Sequence, residues 1–245
     1  MMPPTRRQFM QGAGALLASA LALPRWSFAA RPDSPVGLPG PARSLRVIAY
    51  VDGFDLRAGL AARGWQRYQW LNVRALAEHL LKPGQALAAT KYFDAPLSGP
   101  ADVRTPQTTF VEALGTLSGV QLFRGRHAAQ AQPAGNPGSR LGASDAKTTD
   151  VSLAVELLRD ALQDRFDAAL LISADADLCP AIAACREACP GKRIVVAFPP
   201  HRSSGALRRA AHAYLYIGRD KLARSVLPAQ VRRGDGYLLN RPASW

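Results

Sequence analysis

The sequence predicts an α/β fold in which helices cover both faces of a central, mainly parallel β-sheet. Uninterrupted apolar runs, typical of strands that are buried on both faces, recur along the chain. Segments with helical apolar spacing lie between them, so that strands and helices alternate. The 245 residues are 48% apolar, which is enough for one sizeable hydrophobic core.

The individual elements follow from apolar runs and from apolar residues spaced three or four apart. The predicted strands are Leu45–Val51, Leu87–Phe93, Val120–Phe123, Ala168–Ser173, Arg193–Phe198 and Ala213–Ile217. The predicted helices are a segment that ends at Leu60, then Asn72–Leu81, Thr105–Leu117, Thr149–Leu162, Leu178–Ala188 and Ser204–Ala211. The face predicted to be buried on the fourth helix consists of Val151, Ala154, Val155, Leu158, Ala161 and Leu162. Residues 125–147 are rich in Gly, Pro, Ser and Ala and predict a long loop.

The N-terminal residues predict an export signal followed by a linker. Residues 1–29 place the pair Arg6-Arg7 before an uncharged apolar run, and "TRRQFM" resembles the twin-arginine export motif. The apolar run is too short for a membrane-spanning helix, so no stable transmembrane anchor is expected in the mature protein. Residues 30–44 are rich in Pro and Gly and predict a linker. A domain over residues 45–220 and a basic C-terminal tail over residues 221–245 complete the predicted organisation.

Basic residues dominate the charge of the chain. Lys and Arg number 31 against 18 Asp and Glu, which gives a formal net charge of +13, and arginine supplies most of it. Guanidinium groups bind phosphate in a bidentate manner, so this charge favours polyanionic partners. A high-GC genome, which favours arginine codons, would explain the same composition without any such partner. No glycine-rich phosphate loop follows a predicted strand, and a bound dinucleotide is therefore not expected.

Aspartates gather where two of the predicted strands end. Asp52 and Asp55 follow the first strand in "YVDGFD". Asp175 and Asp177 follow the fourth strand in "ISADADL", and Asp150 opens the predicted helix before that strand. Binding sites in open α/β sheets form at the carboxyl ends of strands. Three of these acids also have a purely structural explanation, because a helix dipole favours Asp150 and because Asp55 or Asp177 can cap a helix or a turn.

Several carboxylates at one edge of a sheet repel one another unless a cation lies among them. Mg²⁺ suits such a place, since it prefers a few carboxylate oxygens together with water and substrate phosphates. An acidic metal site in a basic chain predicts a phosphodiester substrate. The metal ion would activate a water molecule and offset the negative charge that develops during hydrolysis.

Three blocks of the sequence resemble the NYN domain, a branch of the PIN-like nuclease superfamily. "VIAYVDGFDLRAGL" is similar to the family's first strand, which has the pattern apolar-apolar-Asp-Gly-x-Asn-Leu. "KTTDVSLAVELLRDALQDRFDAALLISADADLCPAIAACREACPGKRIVVAF" resembles its central block, and "SSGALRRAAHAYLYI" its last helix and strand. The resemblance covers about residues 45–218. It implies a three-layer, PIN-like (Rossmann-like) sandwich and a metal-dependent ribonuclease activity.

The resemblance also implies roles for individual residues. The positions that match the family's Mg²⁺- or Mn²⁺-binding acids are Asp52, Asp150, Asp175 and Asp177. Of these, Asp52 and Asp175 would be direct ligands, and Asp55 and Ser173 would support the site. Asp55 stands where the family usually has Asn, Ala174 where it has Gly, and Leu178 where it has Phe.

RNA is the partner that the resemblance implies, and basic residues near the predicted site are candidates for its phosphates. These candidates are Arg124, Arg126, Lys147 and Arg208, with Arg202 and Arg209 extending the patch around the last helix. Trp65, Tyr68 and Trp70 are expected in the core. No motif that combines aromatic and basic residues for nucleic-acid binding is evident.

Two other functions remain open at this stage. A domain that keeps the fold but only binds RNA would show salt-sensitive binding without turnover. An exported metal-dependent phosphohydrolase would explain the twin-arginine-like segment and would place the protein in the periplasm. The family resemblance predicts a cytoplasmic protein instead.

Overall fold

The computed structural model describes residues 44–95, 101–125 and 143–245; for residues 101–104 and 143–148 it describes the helical backbone. The predicted export segment and nearly all of the predicted linker lie outside the described residues, as does Arg126. No helix in the described ranges is long and apolar enough to cross a membrane.

Strands and helices alternate through most of the described chain. The strands are β1 (Leu45–Asp52), β2 (Gln85–Asp94), β3 (Val120–Arg124), β4 (Ala168–Ile172), β5 (Arg193–Phe198), β6 (Ala213–Tyr216), β7 (Gln230–Arg232) and β8 (Leu238–Asn240). The helices are α1 (Gly53–Ala62), α2 (Val73–Leu80), α3 (Ala101–Gly115), α4 (Ala143–Leu162), α5 (Cys179–Ala188), α6 (Gly205–Ala210) and α7 (Arg219–Ala223). Each predicted strand corresponds to an observed one, with ends that differ by at most two residues.

Six of the strands form one sheet in the order β3-β2-β1-β4-β5-β6, and each of the pairings is parallel. The prediction of an α/β fold with a mainly parallel sheet is confirmed. The chain builds the sheet outward from β1 through β2 to β3. It then returns to β4, which lies on the other side of β1, and builds outward through β5 to β6. The carboxyl ends of β1 and β4 therefore flank the topological switch point, where open α/β sheets form their binding crevice.

Alternate residues of the strands enter two separate hydrophobic cores, one on each face of the sheet. Val47, Ala49 and Val51 of β1 pack with apolar residues of α1, α2 and α3. Ile48 and Tyr50 of the same strand pack on the opposite face with α4, α5 and α6. Strands covered on both faces are apolar throughout, which is why their runs are visible in the sequence.

Helix α4 buries a different face from the one that its apolar residues predict. Val151, Val155 and Leu162 are exposed, so their predicted place in the core is wrong. Ala161 is buried as predicted, and the other buried side chains of this helix are Thr149, Leu153, Glu156, Leu157 and Asp160. Two charged residues belong to the buried face, and a search for apolar periodicity passes over them.

A buried ion-pair network explains how those charges are tolerated. The Lys91 ammonium of β2 lies 2.7 Å from the Glu156 carboxylate and 2.6 Å from that of Asp160. The Tyr50 hydroxyl of β1 donates a hydrogen bond to Asp160 at 2.7 Å. Burial and these acidic neighbours raise the pKa of Tyr50 above its ordinary value, so the hydroxyl keeps its proton. Because one buried cation satisfies two acids, the network fixes α4 against the sheet.

The C-terminal segment, for which the sequence showed no clear pattern, folds back onto the domain. Helix α7 is followed by the antiparallel hairpin β7–β8. The indole of Trp70 donates to the Pro228 carbonyl at 2.7 Å, and Trp245 packs edge-on against Phe110. The apolar residues that this segment buries are too widely spaced to form a periodic pattern: Leu222, Leu227, Val231 and Leu239.

Candidate functional site

The site lies at the carboxyl ends of the two central strands. Asp52 is the last residue of β1, and Ser173 directly follows β4. Because Val51 pairs with Ile172 in the parallel register, Asp52 and Ser173 stand at the same level of the sheet. The predicted meeting of the two strand ends is therefore present in the structure.

Asp52 is almost completely buried, with 3% of its surface exposed. Its carboxylate caps α1 by accepting a hydrogen bond from the Asp55 backbone N–H at 3.0 Å. Burial raises the pKa of Asp52 to about 7, and the charges of Asp55 and then Asp150 act in the same direction. A metal-free Asp52 therefore holds its proton to a much higher pH than an exposed aspartate does.

Ser173 joins the two strand ends. Its hydroxyl oxygen lies 3.0 Å from Asp52 Oδ2 and 2.9 Å from Asp55 Oδ2, and it accepts a hydrogen bond from the Asp175 backbone N–H at 3.0 Å. A hydroxyl has a single proton to donate. The Ser173 hydroxyl can therefore donate to only one of the two carboxylates at a time. If it donates to Asp55, a protonated Asp52 can donate its own proton to the Ser173 oxygen. The raised pKa of Asp52 agrees with this arrangement.

Asp55 receives a cationic partner that the sequence did not suggest. Arg202, in the loop after β5, places Nη2 2.5 Å from Asp55 Oδ1. The Ala174 backbone N–H donates to the same carboxylate at 2.6 Å. Gly59 lets the loop approach, since a Cβ there would stand 2.5 Å from the Pro200 carbonyl oxygen. Asp55 stands where the family has a neutral Asn, and the Arg202 pair offsets the extra negative charge.

Asp150 reaches the site from α4. The sequence placed Asp150 at the start of its helix, but α4 begins at Ala143, so this placement is wrong and the helix dipole no longer explains the residue. The Asp150 carboxyl is partly buried and lies close enough to that of Asp175 for the two groups to interact. Burial and the charge of Asp175 raise the pKa of Asp150 to about 7. Two neighbouring carboxylates repel each other unless one of them is protonated or a cation lies between them.

Asp175 and Asp177 follow β4 in a short turn of 3₁₀ helix. The Asp175 carboxylate caps this turn by accepting from the Asp177 backbone N–H at 2.9 Å. The capping carboxylate is thus Asp175, and the suggestion that Asp177 caps a helix is wrong. Asp177 itself is exposed at the rim of the site, and its charge contributes to the raised pKa of Asp150.

Hydrogen bonds through the Ser173 hydroxyl connect two of the four predicted acids, Asp52 and the backbone of Asp175. A third, Asp150, is close enough to the Asp175 carboxyl to feel its charge. None of the ion pairs in the described residues involves these acids or Asp177. Within the same residues, no three His, Cys, Asp or Glu side chains already converge as ready-made metal ligands.

The predicted RNA-contacting residues are scattered. Arg124 ends β3, two strands away from β1, and lines a small cavity with Asp94 and Gln107. Arg208 is exposed on α6. Lys147 belongs to the first turns of α4, but its side chain lies outside what is described, as does all of Arg126. Among the described residues, Arg202 forms an ion pair beside the predicted acids, with Asp55.

A further buried acid at the same sheet edge escaped the sequence analysis. Asp94 ends β2 and is bound by Arg57 at 2.8 Å and by the Gln107 amide at 2.6 Å. The signal was present in "KYFD", where an acid ends an apolar strand as Asp52 does. Since Arg57 neutralises Asp94, this residue adds no unbalanced charge to the site.

Comparison with known proteins identifies the family. No curated protein matches the chain. A protein of unknown function from Vibrio parahaemolyticus RIMD 2210633 has a similar structure, with 13% identity, 74% of this chain and 97% of that chain covered, and a TM-score of 0.49. The family model of the NYN domain matches residues 46–218, which confirms the resemblance seen in the sequence. The chain therefore belongs to the NYN domain family and has its PIN-like, nuclease-type fold.

Proposed function

We propose that this NYN domain is a ribonuclease that hydrolyses RNA phosphodiester bonds with the help of Mg²⁺ or Mn²⁺. The observation that carries the proposal is the grouping of Asp52, Asp175 and Asp150 at the topological switch point, where Ser173 hydrogen-bonds Asp52 and the Asp175 backbone and where the charge of Asp175 acts on Asp150. It brings together carboxyls from β1, α4 and the end of β4. The described ion pairs give none of these carboxyls a cation, whereas the neighbouring Asp55 has Arg202.

The donor set fits a hard divalent cation. Carboxylate oxygens are the ligands that Mg²⁺ and Mn²⁺ prefer. Asp52, Asp150 and Asp175 would hold the ion directly or through water, with Asp177 acting from the rim. A cage of three direct ligands is not required, because Mg²⁺ keeps several waters and often binds only one or two carboxylates. When bound, such an ion would activate a water molecule and offset charge on the phosphate.

The protein's own residues prepare the site for this role. Ser173 fixes the orientation of Asp52, and the Asp55–Arg202 pair closes the back of the site without adding net charge. The protons that Asp52 and Asp150 hold near neutral pH must leave when a cation takes their place. Metal affinity should therefore rise with pH.

A cleavage assay tests the proposal. The full chain is incubated with an end-labelled, unstructured RNA in Mn²⁺, in Mg²⁺ and in EDTA. The expected result is cleavage that requires metal and that falls by roughly two orders of magnitude in Asp175→Asn. Asp220→Asn, which changes an exposed acid on α7, is the matched control and should cleave normally. Equal activity of Asp175→Asn and wild type, or undiminished cleavage in EDTA, would remove the proposed site.

A second candidate function is RNA binding without catalysis. The observation that favours it is the lack of three convergent metal ligands in the described part of the chain. It predicts RNA binding that weakens steeply as salt is raised, with no cleavage product at any metal concentration. The same assay separates the two functions, since only the ribonuclease releases shorter RNA.

A further inference from the structure

We propose that Tyr214, Tyr216 and Arg208 form a stacking surface that holds the bases of single-stranded RNA beside the acidic site. The proposal rests on the proposed function, because RNA is the substrate inferred there. It adds a substrate form, the unpaired strand, and a binding surface that the acidic site does not contain. We call these three residues the tyrosine surface.

The two tyrosines present their rings together on one face of an edge strand. They alternate with Leu215 on β6, so both rings point to the same side, towards Phe198. Their centroids lie 6.1 Å apart in an edge-to-face arrangement, and Phe198 supports them from below at 6.1 and 5.5 Å. Tyr214 is 48% exposed and Tyr216 is 56% exposed. Large aromatic rings that are held rigidly and left open to solvent suit base stacking.

Positive charge accompanies the rings. The Arg208 guanidinium of α6 lies 5.9 Å from the centre of the Tyr214 ring, in cation–π geometry. Arg209 is also exposed on this helix. A single strand of RNA offers flat bases and a phosphate at each step, so alternating rings and guanidinium groups complement it. In a duplex the faces of the bases are covered by their stacked neighbours, and only an unpaired strand can use the rings.

The tyrosine surface lies near the carboxyl ends of the parallel strands, as the acids do. Tyr216, the last residue of β6, pairs with Phe198 of β5. The residue before Phe198, Ala197, pairs with Ile172 of β4, so Phe198 is level with Ser173. Tyr216 therefore lies level with Ser173, two strands away. Two strand spacings are about 10 Å. A strand of RNA needs ~3 nucleotides at its stacked rise to cover that distance.

A second copy of the chain could also bind here, since β6 is an edge strand and such strands can associate edge to edge. The net charge of +13 on each copy opposes this association, and arginines flank β6. The same charge attracts RNA. The charge balance thus favours a polyanion.

Binding of single-stranded RNA tests the proposal. The parent is the full chain carrying Asp175→Asn, so that binding is measured without turnover. Fluorescence anisotropy with a labelled, unstructured oligonucleotide at fixed salt compares it with the added pair Tyr214→Leu and Tyr216→Leu. We expect about tenfold weaker binding from the loss of stacking. The pair Tyr214→Phe and Tyr216→Phe, which keeps the rings, should bind like the parent.

Tyr237→Leu is the matched control. Tyr237 is as exposed as Tyr216 and also has an arginine, Arg233, 5.2 Å from its ring centre. It belongs to the hairpin that packs on the opposite face of the sheet, so its loss should leave binding unchanged. Normal binding by the leucine pair, an equal loss in Tyr237→Leu, or a change in molecular mass by light scattering in the leucine pair would each overturn the proposal.

The outcomes also separate this proposal from the ribonuclease itself. If wild type releases no RNA fragments while the leucine pair loses binding, the tyrosine surface stands and the catalytic role falls. If wild type cleaves RNA and the leucine pair binds normally, the tyrosine surface falls and the catalytic role stands.

Discussion

Replacing Asp52 by Asn should make the metal-free protein more stable at high pH and leave it nearly unchanged at low pH. Asp52 is buried, and its pKa is raised from 3.8 to about 7. The folded protein therefore holds this proton more tightly than the unfolded chain does. The carboxyl costs no stability below the unfolded pKa, destabilises the protein progressively as the pH rises to about 7, and has a constant effect above that. Asn resembles the protonated acid and can still cap α1.

The magnitude follows from the size of the shift. The shift of ~3 pKa units changes the stability progressively between the unfolded and the folded pKa, and about 2 of these units lie between pH 5 and pH 8. They correspond to a change of about 3 kcal/mol in the free energy of unfolding. Urea denaturation in EDTA should show that the stability of Asp52→Asn relative to wild type increases by this amount from pH 5 to pH 8. Asp220→Asn, at an exposed position, should show no such gain. If Asp52→Asn had the same effect on stability at pH 5 and pH 8, the inferred cost of a buried negative charge at the end of β1 would be refuted.

Two further predictions concern charges that hold the fold and the site. Lys91→Met should reduce the free energy of unfolding by about 3 kcal/mol, because Asp160 and Glu156 would lose their buried cation and keep only the half-exposed Arg165 and Arg159; Lys82→Met, at an exposed position, should change it by less than ~0.5 kcal/mol in the same urea titration. Arg202→Gln should cost about 2 kcal/mol, since its pair with Asp55 is partly open to solvent. Adding Asp55→Asn should recover most of that loss in a double-mutant cycle, and additive losses would show that the pair is not coupled.

The sequence was most informative where a signal is local. Strands β1 and β4 are apolar throughout because both faces of the sheet are covered, and the acids that follow them mark the sheet edge. The switch-point rule then brings Asp52 and Asp175 together without any knowledge of the coordinates. Asp94 could have been predicted in the same way, because it ends the apolar strand β2 as Asp52 ends β1.

The sequence was least informative where a residue depends on a distant partner. The buried face of α4 contains Glu156 and Asp160, and the cation buried with them is Lys91, more than 60 residues earlier in the chain. Similarly, Arg202 and Asp55 are far apart in the chain and meet only when the loop after β5 packs on α1. Composition and periodicity carry no information about such pairs.

Binding of Mn²⁺ measured by titration calorimetry is the most direct test of the acidic site. At pH 8 the wild-type protein should bind the ion, with an affinity that falls at pH 6 as protons compete for Asp52 and Asp150. Asp175→Asn should bind at least about tenfold more weakly. Binding of equal strength in wild type and Asp175→Asn, or no heat of binding in wild type at pH 8, would contradict a metal site at these strand ends.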